Sequence, residues 1–98
     1  MEPLADTIPT AATSAKSTAL TRALIRELIM GQDPKSYASH CQVIVDAGEP
    51  DFASVKAPVR IIAGEEDKSA PLDGCKYIHE HIGAGQKELK VLSDCGHW

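Results

Sequence analysis

The feature that most restricts the fold of this chain is a strand–helix–strand pattern in its second half. Pro58 precedes the β-branched run Val59–Ala63, whose length and composition are typical of a buried strand. A helical pattern follows from about Leu72, and a second strand is predicted from about Glu88 to Leu92. A helix that connects two strands of one sheet as a crossover places the strands in parallel. Residues 58–98 therefore predict a parallel β-α-β unit of the α/β class.

Residues 17–48 predict two helices that form a helical hairpin. Ser17 is the expected N-cap of the first helix, and Gly31 is its expected left-handed C-cap. Asp33 and Pro34 are suited to the N-cap and first position of the second helix. The apolar row of the first helix is Leu20, Leu24 and Leu28, with Ala19, Ala23, Ile25 and Ile29 beside it; that of the second is Tyr37, Ala38, Cys41, Ile44 and Val45. We expect Tyr37 and Cys41 to pack in a core.

Residues 1–16 are expected to be a flexible N-terminal segment. Pro3 and Pro9 interrupt it, a small polar run follows from Thr10 to Ser17, and no helical or strand periodicity is evident.

The composition indicates which kinds of partner and which cellular compartment are expected. Ten Lys and Arg against 14 Asp and Glu give a net charge of −4, which argues against nucleic acid and anionic membranes. Three widely spaced cysteines, Cys41, Cys75 and Cys95, favour reduced thiols and a cytoplasmic protein over a disulfide scaffold. We see no signal-peptide pattern, and no apolar run approaches the roughly 18 residues of a membrane span.

Two reactive side chains follow the two predicted strands. Asp67 lies in the charged loop after the first strand, and His97 lies in the loop after the second. Parallel strands place both loops at the same edge of the sheet, where ligands of α/β proteins bind. A carboxylate that reaches a histidine ring fixes its tautomer and stabilises the imidazolium, so this pair predicts general-base chemistry.

The segments around both residues resemble the α/β-hydrolase family, particularly its enol-lactonase-like and esterase-like members. The segment 59–71, Val-Arg-Ile-Ile-Ala-Gly-Glu-Glu-Asp-Lys-Ser-Ala-Pro, is similar to the acid strand and loop of that fold, and residues 94–98, Asp-Cys-Gly-His-Trp, to its histidine motif. The resemblance covers residues 17–98 and implies a partial domain, the C-terminal portion, with residues 17–48 as helices of a cap. It also implies that Asp67 is the acid and His97 the base of a Ser-His-Asp triad that hydrolyses an ester or lactone.

The nucleophile motif of that family, G-x-S-x-G, does not occur in the 98 residues. We therefore expect this chain to be inactive by itself. An alternative is a non-catalytic interaction protein derived from a hydrolase, in which the exposed sheet edges and the cap hairpin bind a partner or self-associate.

Other ligand chemistry is less favoured by the spacing. His79 and His81, with Cys75 nearby, are two residues apart on a helix and do not face each other, so no metal site is expected. No Walker or dinucleotide-binding pattern surrounds Gly83 and Gly85, so no cofactor is expected. Cys95 as a nucleophile beside His97 is a further alternative.

Overall fold

A computed structural model describes all residues, Met1–Trp98, and divides them into two compact units. The helical unit comprises Met1–Ala11 and Ser17–Glu49, and the sheet unit comprises Ala12–Lys16 and Pro50–Trp98. Residues 12–16, which we assigned to the N-terminal segment, thus group with the sheet unit. None of the helices has the length and apolar character needed to cross a membrane.

Helix α1, Glu2–Ala11, occupies most of the segment for which we predicted irregular structure. Pro3 lies in the first turn, where helix N–H groups lack partners anyway, so it does not prevent the helix. Ala5 and Pro9 are buried. Met1 and Ile8 pack against the cluster that contains Ala5. Met1 lies four residues before Ala5 and Ile8 three residues after it, which is helical spacing. We did not identify this spacing because Pro3 and Pro9 indicated irregular structure.

Helix α2, Ala19–Met30, buries a different row from the predicted one. Ile25 is 3% exposed and packs with Ile29 and Ala5 of α1, whereas Leu20 is 81% exposed. Leu24 and Leu28 are exposed as well. The partner of α2 is α1, so the isoleucine row faces inward and the leucine row does not.

The ends of α2 also differ from the prediction. Thr18, and not Ser17, is the N-cap, and its hydroxyl accepts a hydrogen bond from the N–H of Thr21 at 3.1 Å. Gly31 closes the helix with φ −73°, so the expected left-handed conformation is not used. An ion pair between Arg26 and Asp6 at 3.1 Å joins α2 to α1.

Helix α3, Pro34–Asp46, begins as predicted. The carboxylate of Asp33 accepts a hydrogen bond from the N–H of Ser36 at 2.8 Å, and Pro34 is the first helical residue. No other element packs against α3, and none of its residues is buried. Ile44 is 76% exposed, and Cys41 is exposed too. The predicted hairpin of α2 and α3 is therefore not formed.

The sheet unit has the predicted order of elements. A single 3₁₀ turn, Phe52–Ser54, precedes strand β1, Val59–Gly64; helix α4, Leu72–His81, connects it to strand β2, Lys87–Leu92. The strands pair in parallel, with Val59 beside Lys87 and Gly64 beside Leu92. The chain is thus a mixed α/β protein with a two-stranded parallel sheet.

The two faces of the sheet differ in burial. Val59 and Ile61 are half-buried and Ala63 is buried, whereas Arg60 and Ile62 of the alternate row are exposed. Helix α4 packs against both strands, and Ile82 after its end is buried. We infer that α4 covers the face that carries Val59, Ile61 and Ala63, and that the other face is open.

Candidate active site

The loop after β1 holds the carboxylate of Asp67 by backbone hydrogen bonds. Its Oδ1 atom accepts from the N–H groups of Ser69 and Ala70, each at 2.8 Å. The N–H of Asp67 donates to the carbonyl of Gly64 at 3.3 Å. Such a turn fixes the side-chain orientation without help from a second element.

The other carboxylate oxygen of Asp67 contacts the ring of His97. The distance between Oδ2 and Nδ1 is 3.0 Å, and 30 residues separate the two in sequence. The Asp67 side chain is 9% exposed and the His97 side chain 45% exposed. The parallel pairing of β1 and β2 brings the two predicted residues into contact; their catalytic roles remain predictions.

Several opposing effects act on the pKa of Asp67. Burial of the carboxylate raises it, and the hydrogen bond from the Ala70 N–H is the largest effect that lowers it. The hydrogen bond and charge of His97, with the Ser69 N–H, lower it further. The net result is a pKa below the ordinary value of an aspartate, so the side chain is ionised at neutral pH.

This ionisation decides the tautomer of His97. An ionised carboxylate can only accept hydrogen bonds, so Nδ1 of His97 must carry the proton in the contact with Asp67. In the neutral ring Nε2 is then the basic nitrogen. The geometry can therefore support proton abstraction by Nε2, with Asp67 stabilising the resulting imidazolium.

The loops after β1 and β2 are joined by their backbones. The N–H of Glu66 donates to the carbonyl of Cys95 at 2.8 Å, and that of Glu65 donates to Leu92 at 2.9 Å. At Gly64, a Cβ atom would lie 2.5 Å from the carbonyl oxygens of Cys95 and Gly96. Only glycine allows the histidine loop to come this close to the end of β1.

A short segment near the N-terminus, Ala12–Lys16, supports the histidine loop from the other side. The carbonyl of Ala12 accepts from the N–H of His97 at 2.8 Å and from that of Trp98 at 3.2 Å. A Cβ at Gly96 would lie 2.6 Å from this carbonyl oxygen. We call Ala12–Lys16 the strap. Sequence reasoning missed it because nothing in the local sequence signals a backbone contact between Ala12 and His97, 85 residues later.

The strap has its own internal and external contacts. Ser14 is buried, and its hydroxyl accepts from the N–H of Lys16 at 3.0 Å. The ammonium of Lys16 pairs with Asp94 at 2.6 Å. Asp94 has φ 54°, a left-handed conformation that aspartate tolerates better than most residues.

The other candidates form no comparable site. The ring of His81 stacks on Tyr77 at 3.9 Å between centroids, and its Nδ1 bonds the Tyr77 carbonyl at 2.8 Å. No group of three His, Cys, Asp or Glu side chains is arranged to hold a metal ion. The thiol of Cys95 lies 3.5 Å from the carbonyl of Gly96.

Comparison with protein-family models, curated proteins and solved structures finds no match to this chain. The resemblance to α/β-hydrolases therefore rests on the motif residues themselves.

Proposed function

We propose that Asp67 and His97 are the acid and base of a Ser-His-Asp triad in an α/β-hydrolase-type enzyme that cleaves a carboxylic ester or lactone. The observation that supports this best is the 3.0 Å contact between Asp67 Oδ2 and His97 Nδ1 at the carboxyl ends of two adjacent parallel strands. Two backbone N–H groups orient the other oxygen of Asp67, as a positioning role requires.

In the proposed reaction, Nε2 of His97 removes the proton of a nucleophilic hydroxyl as its oxygen attacks the carbonyl carbon of the substrate. Asp67 stabilises the imidazolium that forms. The imidazolium then gives its proton to the alkoxide that leaves, which produces an acyl intermediate and an alcohol. Attack by water, with His97 as base again, releases the acid and restores the nucleophile.

The 98 residues contain no G-x-S-x-G motif to supply the serine. Members of a triad act as a unit, and loss of one removes nearly all of their joint effect. We therefore expect that the chain by itself shows no saturable turnover of p-nitrophenyl acetate.

The proposal is tested by reading the transcript in all frames on both sides of the 98 codons. We expect a continuous upstream frame that encodes G-x-S-x-G, and esterase activity in the longer product. In that product Asp67→Asn should lower kcat by about 10⁴-fold, because the imidazole loses its correct tautomer.

His79→Ala is the matched control, since His79 lies on helix α4 and has no part in the Asp67 contact. In-frame stops on both sides, together with a stable product that lacks turnover, would show that the pair is not part of a working triad. Saturable turnover by the 98-residue chain that survives His97→Ala would also contradict the proposal.

A further inference from the structure

Strand β2 has one edge that no other element covers. Among the helices and strands, only β1 and α4 pack against β2. The N–H of Val59 donates to the carbonyl of Gln86, and that of Glu65 donates to Leu92, so the even-numbered residues of β2 turn their backbone groups toward β1. The N–H and C=O groups of Lys87, Leu89 and Val91 consequently point to the free edge.

We propose that this edge binds the same edge of a second copy of the chain, with the two β2 strands antiparallel about a two-fold axis at Leu89. Leu89 then faces Leu89 of the second copy in a hydrogen-bonded pair, and Glu88 faces Lys90 of the second copy. Glu88 and Lys90 occupy non-hydrogen-bonded positions, where opposed Cα atoms are about 4.5 Å apart and side chains are closest. The axis produces this ion pair twice.

The charges of β2 select this register over its neighbours. An axis at Lys87, Glu88 or Lys90 places each of these residues directly opposite its own copy, and opposed like charges destabilise a sheet. An axis at Val91 shortens the paired region and places Lys90 opposite Leu92. Only an axis at Leu89 pairs opposite charges.

Both faces of the resulting four-stranded sheet are consistent with this register. Ile61 lies beside Leu89 within one copy, so the axis creates a continuous apolar row of Ile61 and Leu89 from both copies. On the other face Arg60 bonds Glu88 at 2.8 Å, and Lys90 of the second copy would extend this row with a further positive charge. Glu88 would then lie between two cations.

Lysines on an edge strand usually discourage pairing with other chains. They do so because a partner seldom supplies the matching charge at the right position. Here β2 itself carries that charge, two residues from Lys90, so the edge is compatible with its own copy and with few other strands. The proposal does not depend on the chemistry of Asp67 and His97.

Sedimentation equilibrium of the purified chain over a range of concentrations provides the first test. We expect a reversible dimer whose Kd rises about tenfold in Lys90→Glu, because both ion pairs become repulsive. Lys90→Glu leaves the Arg60–Glu88 contact intact, so the fold should be retained. The triple variant R60E/E88K/K90E reverses every charge of the row, which keeps opposite charges both within one copy and between copies, and should recover most of the affinity. Lys76→Glu on helix α4 is the matched control and should leave Kd unchanged.

Zero-length carbodiimide cross-linking of a mixture of ¹⁴N- and ¹⁵N-labelled chains provides the second test. We expect a mixed-isotope cross-link between Glu88 and Lys90, absent in Lys90→Glu. A monomer at all concentrations, a dimer indifferent to Lys90→Glu, or cross-links that map to β1 or α3 would each overturn the proposal.

Discussion

The carbonyl oxygen of Ala12 and the backbone N–H of His97 are joined by a hydrogen bond of 2.8 Å. This bond makes the strap, 85 residues earlier in the sequence, part of the support for the imidazole. Since His97 also bonds Asp67, the ring is held by its backbone on one side and by its Nδ1 atom on the other. The position of the His97 ring thus depends on three separate stretches of chain.

Gly96→Ala should destabilise the sheet unit. The new Cβ would lie 2.6 Å from the carbonyl of Ala12, so either the strap or the histidine loop must move. We expect a loss of about 1–3 kcal/mol in the free energy of unfolding, measured by urea denaturation. Gly85→Ala is the control, because a Cβ there meets nothing within 4 Å. Equal stability of the two variants would show that the strap does not constrain the loop.

The Asp67–His97 contact should be visible in the ¹⁵N spectrum of the imidazole. We expect the Nδ1–H tautomer of His97 to dominate in the neutral ring, because ionised Asp67 accepts its proton. Asp67→Asn should reduce that tautomer, since an amide can offer either a donor or an acceptor. His79→Ala should leave the His97 signals unchanged. An Nε2–H tautomer in the unmodified chain would contradict the geometry.

Asp67 should make stability depend on pH in the acid range. Its folded-state pKa is lowered, so its stabilising contribution is present above the unfolded pKa of about 3.9 and is lost as pH falls through the folded value. Below about pH 4, where Asp67 becomes protonated, the difference in unfolding free energy between the chain and Asp67→Asn should shrink as the pH falls. Urea titrations at a series of pH values measure this, and a difference that keeps growing below about pH 4 would refute it.

Two isoleucines of the helical unit should contribute differently to stability, because only one of them is buried. Ile25→Ala removes a side chain that is packed between α1 and α2, and we expect it to cost about 2–5 kcal/mol. Ile44→Ala removes an exposed side chain on α3 and should change stability by less than about 0.5 kcal/mol. Chemical denaturation monitored by circular dichroism gives both values. A large cost at Ile44 would mean that α3 packs against something after all.

The sheet unit was predictable because its signals are local. Pro58 and the β-branched run after it mark a buried strand, and the spacing to β2 leaves room for one helix. Parallel pairing then places Asp67 and His97 at one edge by topology alone.

The helical unit was less predictable because its packing depends on a partner. The apolar surface of α2 is wide enough for either Leu24 or Ile25 to face a core, and α1 decides between them. Pro9 is costly inside most helices, so α1 was not expected. The strap was missed for a different reason, since its contact with His97 is made by backbone groups, which no side-chain pattern reports.

The strap has a consequence for the kinetics of folding. Lys16 and Asp94 are 78 residues apart in sequence, so the histidine loop is completed by one of the most non-local contacts that a 98-residue chain can make. Closing so large a loop costs conformational entropy before the contact can stabilise the structure. We expect β1, α4 and β2 to assemble early from nearer contacts, and the His97 loop to become ordered in a later step.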